Sequence, residues 1–426
     1  MRQRSIRGTR SRKSTTGRSL EKCRPRGTTQ LKSSRPSANS PIRIAFDVSQ
    51  AGPRKAGCGF YAAALIEALR AAETDHRFTL LGSFGDFVHQ PLMALQPPRR
   101  GCRWGPRHLL RRQAQRFWND RQAVNGLLEG VDLVQANNFW CPPWPVRPAL
   151  VYTVYDLSFA EHPDWHRERN RLGCFQGMQR AAMHADSFVA ISEASRRAFL
   201  RHFPHVEAER VQVIYPASRF DQPGLEVKPR LPRAAPWLEH TPFLLSTGTI
   251  EPRKNQLFLL EVYARFRARG GAAIPLVLAG GRGWLMEAFQ QHLASFPWAS
   301  DVHRLGYVSD RELAWLYGHC LINLYPSHYE GFGLPVLEGM GFGAPVICSD
   351  RTSMPEIVGD AGVLLPPDAM EAWVKALKEL VAEPQRRSLL AEAGRRQARR
   401  FAWQDSAKAL LAFYGEAVAR ASSRGY

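Results

Sequence analysis

Glu330 and Glu338 bracket the loop Tyr-Glu-Gly-Phe-Gly-Leu-Pro-Val-Leu-Glu-Gly (329–339), with Gly331, Gly333 and Pro335 between them. Paired carboxylates do three kinds of chemistry. They work as an acid/base couple across a glycosidic bond, they ligate hard cations, or they accept hydrogen bonds from neutral hydroxyls. Carboxyl separation decides the first, and spacing in the chain does not fix it. No acidic DxD-type cluster and no His pair at ligand spacing accompanies the glutamates, so no metal and no bound cofactor is expected. A second set lies in STGTIEPRKNQ (246–256), where Arg253 and Lys254 stand at the entry to a helix behind Gly248 and Thr249. Fixed cations at a helix start suit a phosphate or diphosphate, although the stretch matches neither the GxxxxGK[ST] nor the GxGxxG pattern.

Both sets need elements that bring them together. From Pro41 onward, apolar strand runs alternate with helical stretches. The first series comprises 42–48, 77–84, 131–138, 149–159, a strand-loop-helix at 185–203, and 209–217. A proline-rich linker, 221–240, precedes a second series at 243–249, 274–281, 302–308, 320–327, 345–350 and 362–367. Such alternation predicts an α/β fold of two doubly wound, Rossmann-like domains facing a cleft. The expected division is a first domain at 41–220, a second at 241–400, and a terminal helix within 401–426. In such sheets ligands bind beyond the carboxyl ends of the strands, where the polar loops fall. Pro335 suits the first turn of a helix starting near Leu334, and Gly331 and Gly333 let backbone N–H groups approach a ligand.

The formal net charge is +20, and residues 1–40 hold twelve Lys or Arg against the single Glu21. That tail has too few large apolar residues to offset its ordering entropy and is expected to be disordered. A second basic stretch, 99–121, interleaves eight arginines with Trp104, Leu109, Leu110, Phe117 and Trp118. It reads as a solvated helix face or a surface for an anionic bilayer. The seven scattered cysteines contain no CxxC pair, which argues for reduced thiols in the cytoplasm. No apolar run reaches the length of a membrane span. The basic charge also raises nucleic-acid binding as a rival from another class.

The segments STGTIEPRKN, LVLAGGRGW, RLGYVSDRELAWLY, YPSHYEGFGLPVLEGMGFGAPVICSD and SMPEIVGDAGVLL occur in that order. Together they resemble the family 4 retaining glycosyltransferases, especially the mannosyltransferase-like members that build cell-surface polysaccharides. The likeness covers about residues 42–420 and implies the two-domain GT-B fold and a nucleotide-sugar donor, GDP-mannose. By the resemblance, Arg253 and Lys254 hold the donor diphosphate beside Gly248. Thr249 stands where some members carry a further cation. Glu330 meets donor-sugar hydroxyls, with Gly331 in the same loop, and Glu338 meets the ribose. The backbone of Phe332, Gly333 and Leu334 lies beside sugar and phosphate, and Val308 packs at the base. Gly57 and Gly59 line the cleft, in a glycine loop expected to precede a helix from about Ala62. Many relatives have His-Asp where this chain has Tyr155 and Asp156. Tyr155 is expected to offer its hydroxyl to the sugar, and Asp156 to stand near the acceptor. Ser192 is read as a cleft-wall or helix-cap residue.

The implied reaction is metal-independent transfer, with retention, of a hexose onto a glycan or lipid-linked sugar. Departing phosphate takes the acceptor's proton. The expected site is cytoplasmic, with peripheral contact at an anionic inner membrane face. A UDP-sugar transferase, a glycan phosphorylase, and an inactive sugar-binding relative are the alternatives on the same fold.

Overall fold

The computed structural model describes residues 41–423, apart from 52–56, 73, 83–100, 107–110, 138, 140, 223–225, 282 and 284–285. The basic tail and residues 99–100 and 107–110 of the arginine-rich stretch therefore lie outside the described residues, as does the tip of the first glycine loop.

Seven short strands form the first sheet: β1 (Arg43–Asp47), β2 (Arg77–Leu81), β3 (Cys102–Trp104), β4 (Leu133–Ala136), β5 (Ala149–Val154), β6 (Ser187–Ala190) and β7 (Val211–Val213). Their order is 3-2-1-4-5-6-7, and every pairing is parallel. The second sheet holds β8 (Leu244–Thr247), β9 (Leu276–Ala279), β10 (Val302–Gly306), β11 (Ile322–Tyr325), β12 (Val346–Ser349) and β13 (Val363–Leu365). Its order is 10-9-8-11-12-13, again all parallel. The central strands β4, β5, β8, β9, β11 and β12 are buried along their whole length, as parallel strands covered on both faces must be.

Each order reverses direction once, between β1 and β4 in the first sheet and between β8 and β11 in the second. Loops leaving adjacent strands on either side of a reversal run to opposite faces and open a crevice. The loops after β8 and β11 carry Arg253, Lys254 and Glu330.

Several elements depart from the sequence expectation. The helix expected from about Ala62 already begins at Gly57 (Gly57–Ala71), and from Gly59 to Ile66 it is buried on every side. The run 149–159 stays a strand only to Val154 and turns into the short helix Ser158–Glu161. A long helix, Glu168–His184, follows; its sequence is too polar to stand out, with only Gly177, Met178, Ala181 and Ala182 buried. In the arginine-rich stretch, Trp118 turns inward and donates to the Gly82 carbonyl at 3.1 Å. That indole is therefore core rather than a stacking surface.

The last helix, Trp403–Ser422, packs on the first half of the chain. Its buried Trp403, Phe413 and Tyr414 share a core with Ile66 and Phe46. Trp403 Nε1 donates to the Ser218 carbonyl at 2.8 Å, Ser406 to the Tyr215 carbonyl at 2.6 Å, and Arg420 to Ser187 Oγ at 2.8 Å. Among the described residues no helix is long and apolar enough to cross a membrane.

Candidate active site

Beyond β8 the chain turns at Gly248, whose φ of 119° favours glycine. A Cβ on the neighbouring Gly280 would sit 1.9 Å from the Gly248 carbonyl oxygen, so these two backbones approach as only glycine permits. A tight turn, Pro252–Lys254, then ends at Asn255 in the left-handed region. The Asn255 amide is fixed to the carbonyls of Pro326 and Pro367 at 3.2 and 3.0 Å. This tie sets the turn against the loop leaving β11.

There the two loops meet through their charges. Lys254 Nζ lies 2.5 Å from Glu330 Oε1, and Arg253 Nη1 lies 2.9 Å from Oε2. The Ser327 hydroxyl stands 2.6 Å from Oε1 and the Tyr325 hydroxyl 3.1 Å. Arg253 also pairs with Glu251 at 2.7 Å and donates to the Tyr329 carbonyl at 2.7 Å. Glu330 and Lys254 are buried. Burial opposes the Glu330 charge, but Arg253 and Lys254 outweigh it and hold the carboxyl down at about 2. Burial lowers the Lys254 ammonium, and Glu330 only partly restores it. Two cations thus face two carboxylates, and the cluster is neutral as a unit.

Gly333, at φ 109°, opens the helix Leu334–Phe342, with Pro335 in its first turn. Glu338, expected to face a ribose, is fully buried in this structure and engaged by the protein. Arg219 Nε donates to its Oε1 at 2.7 Å, and the Tyr317 hydroxyl stands 3.3 Å from Oε2. Burial raises the Glu338 carboxyl and Arg219 pulls against it. Arg219 also reaches Asp310 at 3.5 Å and lies 4.0 Å over the Phe60 ring. One guanidinium therefore joins the helix Gly57–Ala71 to the Glu338 helix.

The first half meets this loop at Gly331. A Cβ there would come 2.3 Å from the Tyr155 carbonyl oxygen and 3.1 Å from Asp156 Cβ. Ser195 Oγ donates to the Tyr155 carbonyl at 2.6 Å and stands 3.2 Å from that of Gly331. The Tyr155 ring does not face the cleft as expected. It packs edge-on against Tyr61 at 5.4 Å in the core, because continuation of β5 turns its side chain inward. Asp156 Oδ1 accepts from Ser158 N and Oγ at 3.0 and 2.8 Å, an Asx-type turn that starts the next helix. Ser192 caps the helix Glu193–His202 through Ser195 N at 3.0 Å. The Phe332 ring is buried against Tyr215 and Phe401, leaving its backbone at the loop. Leu334 and Val308 are half-buried, and Thr249 binds Gln256 through its carbonyl. Gly59 lies buried within the helix Gly57–Ala71, and Gly57 at its exposed start.

Sequence reasoning missed Arg219, Glu251, Tyr317, Tyr325, Ser327 and Glu356. Glu356, on the helix Met354–Val358, accepts from the backbone N–H groups of Glu193 and Ala194 at 2.9 and 3.0 Å and from the Tyr215 hydroxyl at 3.0 Å. A carboxylate from the second half thereby caps a helix of the first. Its position in SMPEIVGDAG marked a motif but named no partner. Among the described residues no group of three or more His, Cys, Asp or Glu is placed to hold a metal ion.

Comparison with known proteins shows the family and the fold. Residues 227–397 match the family described as glycosyl transferases group 1, and residues 56–218 match glycosyltransferase family 4. The O-antigen chain mannosyltransferase B of Escherichia coli is 30% identical over 295 residues, covering 69% of this chain and 77% of that protein. The MMP alpha-(1->4)-mannosyltransferase of Mycolicibacterium hassiacum is 28% identical over 61% of this chain and 62% of its own length. Among solved structures, Anabaena HepE in complex with UDP and glucose superposes with a TM-score of 0.63 at 18% identity, over 87% of this chain and 98% of that one. WaaG, a glycosyltransferase involved in lipopolysaccharide biosynthesis, does so with a TM-score of 0.62 at 17% identity, over 86% and 98%.

Proposed function

Because this chain belongs to the family 4 glycosyltransferases, we propose that it transfers mannose from GDP-mannose, with retention and without a metal ion. The proposed acceptor is a hydroxyl of a growing glycan or lipid-linked sugar in cell-surface polysaccharide synthesis. The observation that carries the donor site is the convergence of Arg253, Lys254 and Glu330 at the reversal of the second sheet. The relatives named above as mannosyltransferases, one of them of an O-antigen chain, support the sugar and the acceptor class.

Glu330 neutralises the two cations through its paired oxygens. An entering diphosphate would take over Arg253 and Lys254, and the released Glu330 oxygens would accept hydrogen bonds from sugar hydroxyls. Glu338 would keep Arg219 on one carboxylate oxygen and accept from the ribose hydroxyls with the other, so that its charge is not left buried alone. The bond from C1 to the phosphate oxygen breaks, the acceptor oxygen bonds C1 on the same face, and its proton passes to the departing diphosphate. The two cations and the amides at the start of the helix Leu334–Phe342 stabilise that leaving group. We place the reaction on the cytoplasmic side, with the basic 99–121 stretch against an anionic membrane face. Specific nucleic-acid binding is not part of this reading.

A UDP-sugar donor is the second reading, favoured by the UDP complex of HepE. Turnover of GDP-mannose, UDP-glucose and UDP-N-acetylglucosamine, followed by nucleoside diphosphate release, separates the two. Use of UDP-sugars alone would displace the donor assignment. A β-linked product from the α-linked donor would displace retention, and loss of turnover in EDTA would displace metal independence. Glu330→Gln is expected to abolish transfer.

A further inference from the structure

The helix Glu168–His184 turns a narrow face to the core of the first half. Gly177, Met178, Ala181 and Ala182 are buried there, and a Cβ on Gly177 would lie 1.7 Å from the Phe139 carbonyl oxygen. The outer face is apolar as well. Leu172, Phe175 and Met183 are 43%, 40% and 59% exposed. Their spacing sets them in one row along the helix, about 16 Å from end to end. The other large apolar side chains of such exposure among the described residues, Tyr215, Leu257, Tyr307 and Leu389, stand singly on separate segments. Single exposed apolar side chains are ordinary, whereas a row of them marks an interaction surface.

The charges around the row say what covers it. Arg167, Arg169, Arg171 and Arg180 stand against the single Glu168, which pairs with Arg171 at 2.8 Å. Arg167 and Arg169 are exposed, Arg180 is half-buried, and none of the three pairs with an acid among the described residues. Cations at the start of a helix work against its dipole, and an anionic surface outside the chain would offset them. Trp118, on the helix Arg111–Asn119, lies in the same core as Met178 and Ala181. Both helices therefore cover one face of the first sheet, and the exposed Arg112 and Arg116 add to the charge on that side. An apolar row edged by arginines fits an anionic bilayer, whose acyl boundary takes the row and whose phosphates take the guanidinium groups. A second copy of the chain fits less well, because a two-fold pairing through this face sets the arginines against one another. The row also begins beside the cleft. Trp165, just before the helix, stacks on His328 at 5.7 Å, and His162 meets Tyr329 edge-on at 5.8 Å. His328 and Tyr329 immediately precede Glu330.

We propose that the outer face of the helix Glu168–His184 docks on a bilayer containing anionic phospholipid. The helix lies in the headgroup plane with Leu172, Phe175 and Met183 inserted, and the mouth of the cleft stands at the lipid surface. The inference rests on the membrane-side placement proposed above and on no choice of donor. It adds an inserted helix face to the purely basic contact of the 99–121 stretch.

The test sediments the full chain with vesicles of phosphatidylcholine, with and without phosphatidylglycerol, and maps the contact by hydroxyl-radical footprinting. Near-physiological salt screens the basic tail more than it weakens apolar insertion. Leu172, Phe175 and Met183 should be protected on the anionic vesicles only, while Leu389, 68% exposed on the second half, reports an unchanged radical dose. The variant Leu172→Gln/Phe175→Gln/Met183→Gln should bind these vesicles at least about tenfold more weakly. Its nucleoside diphosphate release in vesicle-free solution should match the parent's. Arg167→Glu/Arg169→Glu should also bind about tenfold more weakly. Its thermal midpoint should hold or rise, since acids suit a helix start, so a lost fold cannot account for that result. Absence of turnover in the parent would strike the proposed function and leave vesicle binding to be judged by itself. Parent-like binding in both variants overturns the proposal. So does binding without protection of the row, which assigns the contact to the tail or the 99–121 stretch. Equal binding to both vesicle types overturns the anionic assignment. Protection that grows with protein concentration in the absence of lipid gives the face to a second copy and overturns the proposal as well.

Discussion

Replacing Glu330 by Gln removes the one group that Lys254 and Arg253 share. Lys254 then keeps only the Tyr325 hydroxyl, at 2.5 Å, whereas Arg253 keeps Glu251 and the Tyr329 carbonyl, each at 2.7 Å. Breaking a buried ion pair from one side costs about 3–5 kcal/mol. The surviving Arg253 partners place this case at the lower end.

The depressed Glu330 carboxyl, held down by the same two cations, points the same way. Its folded value of about 2 lies below the ordinary 4.5. A depressed carboxylate contributes stability fully above its unfolded value and loses it as pH falls from there through the folded value. That interval corresponds to about 3 kcal/mol at neutral pH, of which roughly half remains near pH 3. The protonated parent is nearly isosteric with the variant, so their stabilities should converge in acid. Urea unfolding of both proteins at about pH 7, pH 4.5 and pH 3 measures the gap directly. A gap of constant size across that range, or none at pH 7, would refute the ion-pair argument. A nucleoside diphosphate should also raise the thermal midpoint of Glu330→Gln more than that of the parent, since it meets cations without a resident carboxylate.

Arg219→Gln leaves Glu338 buried without its cation and should cost about 3 kcal/mol at neutral pH in urea unfolding, a penalty that shrinks as acid protonates the carboxyl. Glu356→Gln weakens the charge at the start of the helix Glu193–His202. It should cost about 1 kcal/mol and speed hydrogen exchange at the Glu193 and Ala194 amides. Gly331→Ala drives a methyl group into the Tyr155 carbonyl; it should separate the halves and lower transfer at least about tenfold while each sheet keeps its far-ultraviolet dichroism. An unchanged rate in that variant would mean that the contact is not needed for catalysis.

Both sheets were legible because buried parallel strands write themselves as short apolar runs between polar loops, and LVQA, LLST and INLY are of that kind. The polar helix Glu168–His184 was not, since a helix that buries only a few small side chains has no strong apolar period to detect. The same distinction holds at the site. Glycine and proline disclose local backbone needs, so the helix start at Leu334–Pro335 followed from residue type alone. Pairings between loops did not follow, because they are set by strand order. Lys254 and Glu330 are 76 positions apart and meet only because β8 and β11 are neighbours at the reversal. Arg219 and Glu338, 119 positions apart, lacked even a motif on the arginine side.

Strand order also explains why the acids and bases of this site pair with one another, a pairing that the proposed donor would displace at Glu330. A crevice that admits an anion must hold cations whether or not the anion is present. In a buried crevice those cations need carboxylates near enough to neutralise them and mobile enough to be displaced. Glu330 and Glu338 meet the first condition by their distances, and the flanking Gly331 and Gly333 supply a backbone that can meet the second.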